Sequence, residues 1–492
     1  MTLNITGNIS RYYAETLVLL FFPGSKFPED GSGGDPTVTV ELTEGEVMHA
    51  TAEIKDGDKR ETAQYSPSPD TAARYGEHML RQITVGGALL AAGEKFCGFL
   101  PPWGALTGVR PAKLAMKAME AGDGVKVLTE DYRCTVEKAK IAVMTAETEK
   151  RFITDEARRH CSVYVAIPFC PTKCSYCSFV SYSSPRLLSM MPGYLDRLLL
   201  DIENTFEVIH ELGLTVDTVY IGGGTPTTYE EKELRRLLLK IGECTDVGAL
   251  QEFTLEAGRP DTITAEKMRA AKDLGVTRVS VNAQTMNGEV LRSIGRRHTP
   301  EDFLSAYHIA RESGIRDINV DLIAGLPGES FESFSDSVSR IIDLSPTNLT
   351  VHTFYVKRAA QLTRELSGVC RAQDEAVERA VSAAQAKILE NGYIPYYLYK
   401  QKNTAANLEN TGFSKIGHEC AYNIYMMEEV HTVFGAGASS MTKFVSPHSD
   451  NMKIVRLSET KYPYEYLDPA KNSAEERYET LRKTAREFYG KK

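Results

Sequence analysis

The chain has no run of roughly 18 or more apolar residues, the length a membrane-crossing helix needs. No basic segment with a small-residue cleavage site stands near its start, so the expected location is the cytoplasm. An excess of positive charge is also lacking. The formal net charge of −9 leaves no basic field for nucleic acid and confines any anionic ligand to a local pocket. The nine cysteines are an odd number, and Cys97, Cys134, Cys161, Cys244, Cys370 and Cys420 form no regular framework. These six read as reduced thiols, mostly packing residues, in a reducing compartment.

What is present is a globular composition, 492 residues with 42% hydrophobic, which suits two or three domains. Residues 1 to 150 mix strand-like runs (15–23 and 37–42) with helical patterns (73–96 and 134–158), and 29–36 reads as a loop. Residues 151–160 read as the tail of a connecting helix. No catalytic constellation falls in this part, which is expected to be an α+β accessory domain. From 162 onward short β-branched runs alternate with amphipathic ones, the pattern of a parallel sheet covered by helices. Strands are expected at 163–167, 217–221, 252–256, 278–283, 318–323 and 348–354. Helices are expected at 188–212, 230–243, 264–274, 300–313 and 331–343. Six β/α units fall short of a full barrel's eight, so the fold class is α/β with an open partial barrel over 160–360 and a C-terminal domain over 361–492. Its site is expected at the C-terminal strand ends.

Cys170, Cys174 and Cys177 stand at CxxxCxxC spacing in a loop directly after the first of these strands. Three thiolates from one tight loop can hold three irons of a 4Fe–4S cluster and leave the fourth iron open. The plain alternatives are a zinc site or unrelated thiols. A structural zinc wants four closed ligands. The nearest other cysteine, Cys161, lies across 162–169, about 25–30 Å away if that stretch is extended.

Further unusual groups fall just after or near the ends of successive strands. The glycines before Thr225 and Pro226 allow a close backbone approach to a ligand, or else make an ordinary strand-to-helix turn. Glu256 closes Phe253-Thr-Leu-Glu256, where a buried carboxylate needs a cation: an ammonium ligand, or Arg259 or Arg278. Gln284 follows the fourth strand. Asp321 sits within the fifth and faces either a ligand or an ion pair with Arg296.

CxxxCxxC after a strand, with Tyr176 just before the third cysteine, resembles the signature of the radical S-adenosylmethionine superfamily. That resemblance implies a three-quarter (β/α)6 barrel and a cluster whose open iron binds S-adenosylmethionine, cleaved to a 5′-deoxyadenosyl radical that abstracts a substrate hydrogen. Over roughly 160–440 the order of Tyr164, Gly223, Gly224, Thr225, Glu256, Gln284, Arg296 and Asp321 resembles the oxygen-independent coproporphyrinogen III oxidase/dehydrogenase (HemN-like) family. By that resemblance Tyr164, Gly223 and Glu256 serve one S-adenosylmethionine, and Tyr176, Gly224, Thr225, Gln284, Arg296 and Asp321 serve a second. The run Tyr399–Gly412, then Tyr422–Glu429 and Gly435–Ala438, together with the long N-terminal extension, is similar to the HemZ-type branch.

The chain departs from its wider family in two places. Phe179 stands where well-studied oxidases have a further cysteine, and Tyr422-Asn423 with Met426-Met427 stands where heme-chaperone relatives have His-Asn and Tyr-Trp. The implied reaction is oxidative decarboxylation of coproporphyrinogen III to protoporphyrinogen IX in heme biosynthesis, with an electron donor such as flavodoxin or ferredoxin. The alternatives are a heme-binding chaperone and a radical methyltransferase acting on heme. Arg297, Lys357, Arg358, Lys400 and Lys402 are candidate partners for propionates, and Tyr396, Tyr397 and Tyr399 for the ring. Residue by residue the plainer reading, ordinary surface charge or a core aromatic, stands ahead of that role, and His298 and His352 read as structural.

Overall fold

The computed structural model describes residues 1–28, 32–178, 180–354, 369–400, 405–447 and 452–490. They divide into two compact units. The smaller comprises the described residues of Met1–Glu147, Tyr355–Glu378 and Leu398–Asn410; the larger comprises Thr148–Phe354, Arg379–Tyr397 and the described residues of Thr411–Lys492.

In the smaller unit β1 (Thr2–Thr6), β2 (Thr37–Thr43), β3 (His49–Asp56) and β4 (Lys59–Tyr65) form a sheet in that order, with β1 parallel to β2 and the other pairs antiparallel. Period-two alternation buries Val38, Val40 and Leu42 together with Ala50, Ala52 and Ile54 in one core with the helices Arg11–Phe21 and Glu77–Cys97. The expected strand at 15–23 is instead the first of these helices. Ser10 caps it by accepting from the Tyr13 N–H, and Tyr13, Ala14, Leu17, Val18 and Phe21 fall on one buried stripe. A buried ion pair, Lys138 to Glu409 at 2.6 Å, is completed by the Trp103 indole N–H donating to Glu409 at 2.6 Å.

The larger unit is built on an eleven-stranded sheet. Its strands are β5 (Cys161–Ile167), β6 (Val216–Gly223), β7 (Glu252–Glu256), β8 (Arg278–Ser280), β9 (Asp317–Ala324), β10 (Asn348–Thr353), β11 (Ile394–Lys400), β12 (Glu409–Ser414), β13 (Thr432–Ala436), β14 (Met441–Val445) and β15 (Ile454–Ser458). Their order is β11-β12-β10-β9-β8-β7-β6-β5-β13-β14-β15. From β13 through β5 to β10 every pair is parallel, and the helices Met191–Leu212, Glu231–Cys244, Ala265–Asp273, Pro300–Glu312 and Phe331–Leu344 connect successive strands. This is the expected partial (β/α)6 architecture, extended on both edges by strands from the C-terminal part. The fourth strand stops at Ser280, short of the expected 283, and Gln284 makes only an isolated bridge to Leu322. Residues 151–160 contain a 3-10 turn, Ala157–Arg159, in place of a helix tail, because the Thr154 hydroxyl accepts from the Ala157 N–H and starts a new turn.

Parallel strands packed on both faces normally read as apolar throughout, but here the pleat separates two chemistries. One set of alternating positions (Val163, Val165, Val219, Ile221, Phe253, Leu255, Val320, Leu322) is apolar and fully buried. The other carries Tyr164, Tyr220, Glu252, Thr254, Glu256, Arg278, Asp317, Asn319, Asp321, Asn348 and Thr350. At the N-terminal strand ends the charged groups of this polar face are matched. Arg278 pairs with Glu252 (3.2 Å) and Asp317 (3.4 Å), meets Asn348, and donates to the carbonyls of His418 (2.9 Å) and Glu419 (3.1 Å). These bonds pin the chain leading into helix Ala421–Glu428, whose first N–H donates to Glu252 at 2.9 Å. Among the described residues no helix is long and apolar enough to cross a membrane.

Candidate active site

The cysteine loop leaves β5 at Ile167 and is held at three points. The Cys170 N–H donates to Tyr182 O at 3.0 Å, and the Tyr182 N–H to Pro168 O at 2.9 Å. The Thr225 N–H donates to Phe169 O at 2.7 Å, and the Ser175 N–H to Ile294 O at 3.0 Å. Gly224 explains the second of these contacts, since a Cβ there would lie 2.4 Å from Phe169 O. Gly223 has φ +108, a left-handed geometry that suits glycine, and its N–H donates to Glu256 at 3.3 Å. Both glycines are therefore required by the way the strand end meets the cysteine loop and Glu256.

Cys170 and Cys174 are buried, and Cys177 is partly exposed. The Thr225 hydroxyl lies 3.3 Å from Cys170 Sγ, and Arg259 donates to Cys174 Sγ at 3.5 Å. Among the described residues no three His, Cys, Asp or Glu side chains are gathered closely enough to share one metal ion. A single zinc would draw its thiolates to about 2.3 Å from one centre, whereas a cluster gives each thiolate its own iron. The donor set, three thiols at one strand end with donors aimed at two of them, fits a cluster.

Glu256 ends β7 beside this loop. Its carboxylate accepts from the Tyr220 hydroxyl at 2.5 Å and from Gly223, and no cationic side chain among the described residues pairs with it. Burial, with Asp321 nearby, raises it from the ordinary 4.5 to about 7. The two arginines that could have neutralised it are engaged elsewhere: Arg259 forks onto Asp261 (3.1 and 3.1 Å) and Arg278 onto Glu252. Tyr220 is itself stacked on Tyr422 (centroids 4.5 Å, 26°) and on Tyr164 (6.0 Å, 22°).

Asp321 is not paired with Arg296. It accepts from Asn319 Nδ2 at 2.7 Å and faces His352 at 3.6 Å. Burial alone would raise its carboxyl, but His352, Asn319 and Thr350 more than offset that and hold it below the usual range. Arg296 instead clasps the Tyr176 hydroxyl (3.1 and 2.7 Å) and donates to Gly258 O at 2.9 Å. Gln284 bridges to Asp321 and Ile323 through its backbone at φ +65, a strained geometry for a residue with a side chain. Its Oε1 is buried and without a hydrogen-bond partner. Among the described residues, a carboxylate lacking a cation next to the cysteine loop and a buried amide oxygen lacking a donor after β8 match a ligand that carries an ammonium and hydroxyls.

The structure places Tyr176 in the cysteine loop with Arg296 on its hydroxyl, Gly223, Gly224, Thr225 and Glu256 at the ends of β6 and β7 beside that loop, Gln284 after β8, and Tyr164 and Asp321 within β5 and β9 on the polar face of the sheet. The substrate candidates are more scattered. Lys357, Arg358 and Lys402 lie outside the described residues, and Arg297 is exposed. Lys400 is no free cation for a propionate: it is buried in the smaller unit, donates to Leu106 O at 2.7 Å, and is pushed down to about 8 by desolvation. Tyr396 is buried in a core cluster with Cys420, Ile424 and Val433. Sequence motifs had not singled out Tyr220, Asn319 or Thr350. Their signal was the recurrence of polar residues at every second position of β6, β9 and β10.

The family model of the Radical SAM superfamily matches residues 164–341. The chain is 36% identical over 421 residues to the oxygen-independent coproporphyrinogen-III oxidase-like protein HemZ of Bacillus subtilis (strain 168), covering 84% of this chain and 83% of that protein. It is 30% identical over 337 residues to the heme chaperone HemW of the same organism, covering 66% of this chain and 84% of HemW. Among solved structures it resembles coproporphyrinogen III oxidase (HemN) from Escherichia coli, with TM-score 0.46, 21% identity, and 68% and 82% of the two chains covered. The chain therefore belongs to the radical SAM superfamily, with a 4Fe–4S cluster and S-adenosylmethionine as its cofactors, and within it to the oxygen-independent coproporphyrinogen-III oxidase-like family.

Proposed function

We propose that the protein decarboxylates two propionate side chains of coproporphyrinogen III to vinyl groups, giving protoporphyrinogen IX without oxygen. The observation that carries this reading is the buried Glu256 carboxylate, without a cation among the described residues and next to the three-cysteine loop, in a chain 36% identical to HemZ over most of its length. Bound here, the reduced cluster with S-adenosylmethionine supplies one-electron hydrogen abstraction from carbon. Each propionate would then give up a hydrogen atom to the 5′-deoxyadenosyl radical, carbon dioxide, and one further electron to a one-electron acceptor outside this chain.

In this reading Cys170, Cys174 and Cys177 hold three irons. Glu256 receives the ammonium of the first S-adenosylmethionine, its negative charge becoming favourable only once that cation arrives. Gly223 lets the ligand approach the strand end, and Tyr164, in the stack with Tyr220 and Tyr422, walls the pocket on an apolar side. Tyr176, Gly224, Thr225, Gln284, Arg296 and Asp321 serve a second S-adenosylmethionine, with the Gln284 amide oxygen free to accept from it. A low-potential flavodoxin or ferredoxin supplies the electron.

The test is an anaerobic assay of cluster-reconstituted protein with reductant, S-adenosylmethionine and coproporphyrinogen III, following deoxyadenosine and porphyrin masses together. Deoxyadenosine with the doubly decarboxylated porphyrinogen supports the reading. Deoxyadenosine with an unchanged porphyrinogen mass refutes the substrate assignment, and tight heme binding in a titration would then favour the chaperone role named for HemW.

A further inference from the structure

Arg259 has no place in the cofactor set above, yet its guanidinium donates to a cluster thiol. It follows β7 in Ala257-Gly-Arg-Pro-Asp261, and its backbone is fixed by the Thr262 hydroxyl and N–H, which donate to its carbonyl at 2.8 and 2.9 Å. Two of its nitrogens fork onto Asp261 at 3.1 Å each. The third, Nη1, is aimed at the cysteine loop, at Thr172 O (3.4 Å) and Cys174 Sγ (3.5 Å). The side chain is 3% exposed.

Burying an ion pair is costly, and a neutral donor would suffice to tether a loop carbonyl. A guanidinium does something a neutral donor cannot: it opposes the negative charge that thiolates bring and that reduction of a cluster increases. Hydrogen bonds to ligand sulfur and nearby charge are among the factors that set the potential of an iron–sulfur cluster. We infer that Arg259, balanced by Asp261, is a positioning residue that sets the reduction potential of the cluster through its N–H···S bond to Cys174. Asp261 pulls in the opposite direction: it holds the fork and offsets part of the guanidinium charge. The pair therefore acts as an oriented dipole with its positive end toward the sulfur. The inference rests on Cys170, Cys174 and Cys177 holding the cluster.

The test is an anaerobic redox titration of the reconstituted full-length chain, reading the reduced cluster by electron paramagnetic resonance for wild type, Arg259→Met and Asp261→Asn. Losing the donor and the charge in Arg259→Met should make the cluster harder to reduce, by about tenfold in the reduced-to-oxidised ratio at fixed potential, or about 59 mV for a one-electron couple. Asp261→Asn should shift the ratio by the same order in the opposite direction. A residue that merely braces the loop would lower cluster content without shifts of opposite sign. Intact clusters with unshifted potentials in both variants overturn the inference, as does cluster loss in both. If Arg259→Met alone fails to hold a cluster, the direction of the Asp261→Asn shift decides. A wild-type protein without the reduced-cluster signal would overturn the cluster assignment itself, an outcome separate from unshifted variants.

Discussion

Replacing Glu256 with Gln separates what this carboxylate costs the fold from what it does for a ligand. In the ligand-free chain its carboxyl is raised from 4.5 to about 7, chiefly by burial. A folded carboxyl raised above its unfolded value contributes stability that is fully present below about 4.5 and is lost as pH rises through about 7. At about pH 8 the folded chain holds an ionised Glu256 that it would rather protonate. At about 1.4 kcal/mol per tenfold change, the ceiling on that cost is about 3 kcal/mol. Partial access of water to the strand end makes about 2 kcal/mol a reasonable expectation.

The Gln side chain keeps an oxygen for the Tyr220 hydroxyl and loses the 3.3 Å bond from Gly223, a cost of about 1 kcal/mol at every pH. Glu329, also raised to about 7, is common to both proteins and cancels. The assay is urea unfolding of ligand-free wild type and Glu256→Gln at about pH 5 and about pH 8, followed by a probe in the larger unit. Relative to wild type, the variant should gain about 2 kcal/mol between the two conditions. In the same preparations S-adenosylmethionine should bind the variant more weakly, because its ammonium no longer meets a carboxylate. Identical pH dependence in the two proteins would refute the argument that burial without a cation governs this group.

The other expectations are simpler to state. Cys174→Ala should abolish the cluster's visible absorbance together with S-adenosylmethionine cleavage, and retention of both would remove the cluster assignment. Asp321→Asn should leave cluster absorbance intact while weakening S-adenosylmethionine binding or turnover about tenfold, the scale of one charge-assisted hydrogen bond; unchanged binding and turnover would make it structural. Gly224→Ala puts a Cβ 2.4 Å from Phe169 O, so iron content after reconstitution should fall, whereas normal loading would show that the loop can shift at little cost. Lys138→Met removes the cation 2.6 Å from the buried Glu409 and should destabilise the smaller unit by about 3–5 kcal/mol in denaturant unfolding, most of it recovered in Lys138→Met/Glu409→Leu.

The six central strands were legible because buried parallel strands read as short β-branched runs between turn residues, and the helices between them show an apolar stripe. Arg11–Phe21 misled for a physical reason. Its stretch Leu17-Val-Leu-Leu-Phe-Phe22 is continuously apolar, so the 3.6-residue period is hidden and only the Ser10 cap marks a helix. Strands β11 to β15 gave no such signal, because β13 pairs with β5 from some 270 residues away along the chain, and local pattern carries no information about a pairing that distant. In the site the cysteines, glycines and isolated carboxylates were visible as exceptions to their surroundings. Their partners were not: Tyr220 looks like any strand aromatic until the register places it opposite Tyr164 and its hydroxyl reaches Glu256.

Hydrogen-bond completeness changes along the polar face of the sheet, and that change locates function more firmly than any single motif. At the N-terminal strand ends Arg278, Glu252, Asp317, Asn348 and the carbonyls of His418 and Glu419 satisfy one another. At the C-terminal ends, among the described residues, Glu256 lacks a cation and Gln284 Oε1 lacks a donor. Buried polar groups are paired in stable folds, so an unfinished network held on rigid strands implies a partner that arrives from outside. Mutation at the two ends should accordingly differ in kind. Changing Arg278 should cost folding stability whether or not cofactor is present, because it removes the buried cation that Glu252 and Asp317 share. Changing Gln284 should cost little in the ligand-free chain and show its effect only when S-adenosylmethionine is added.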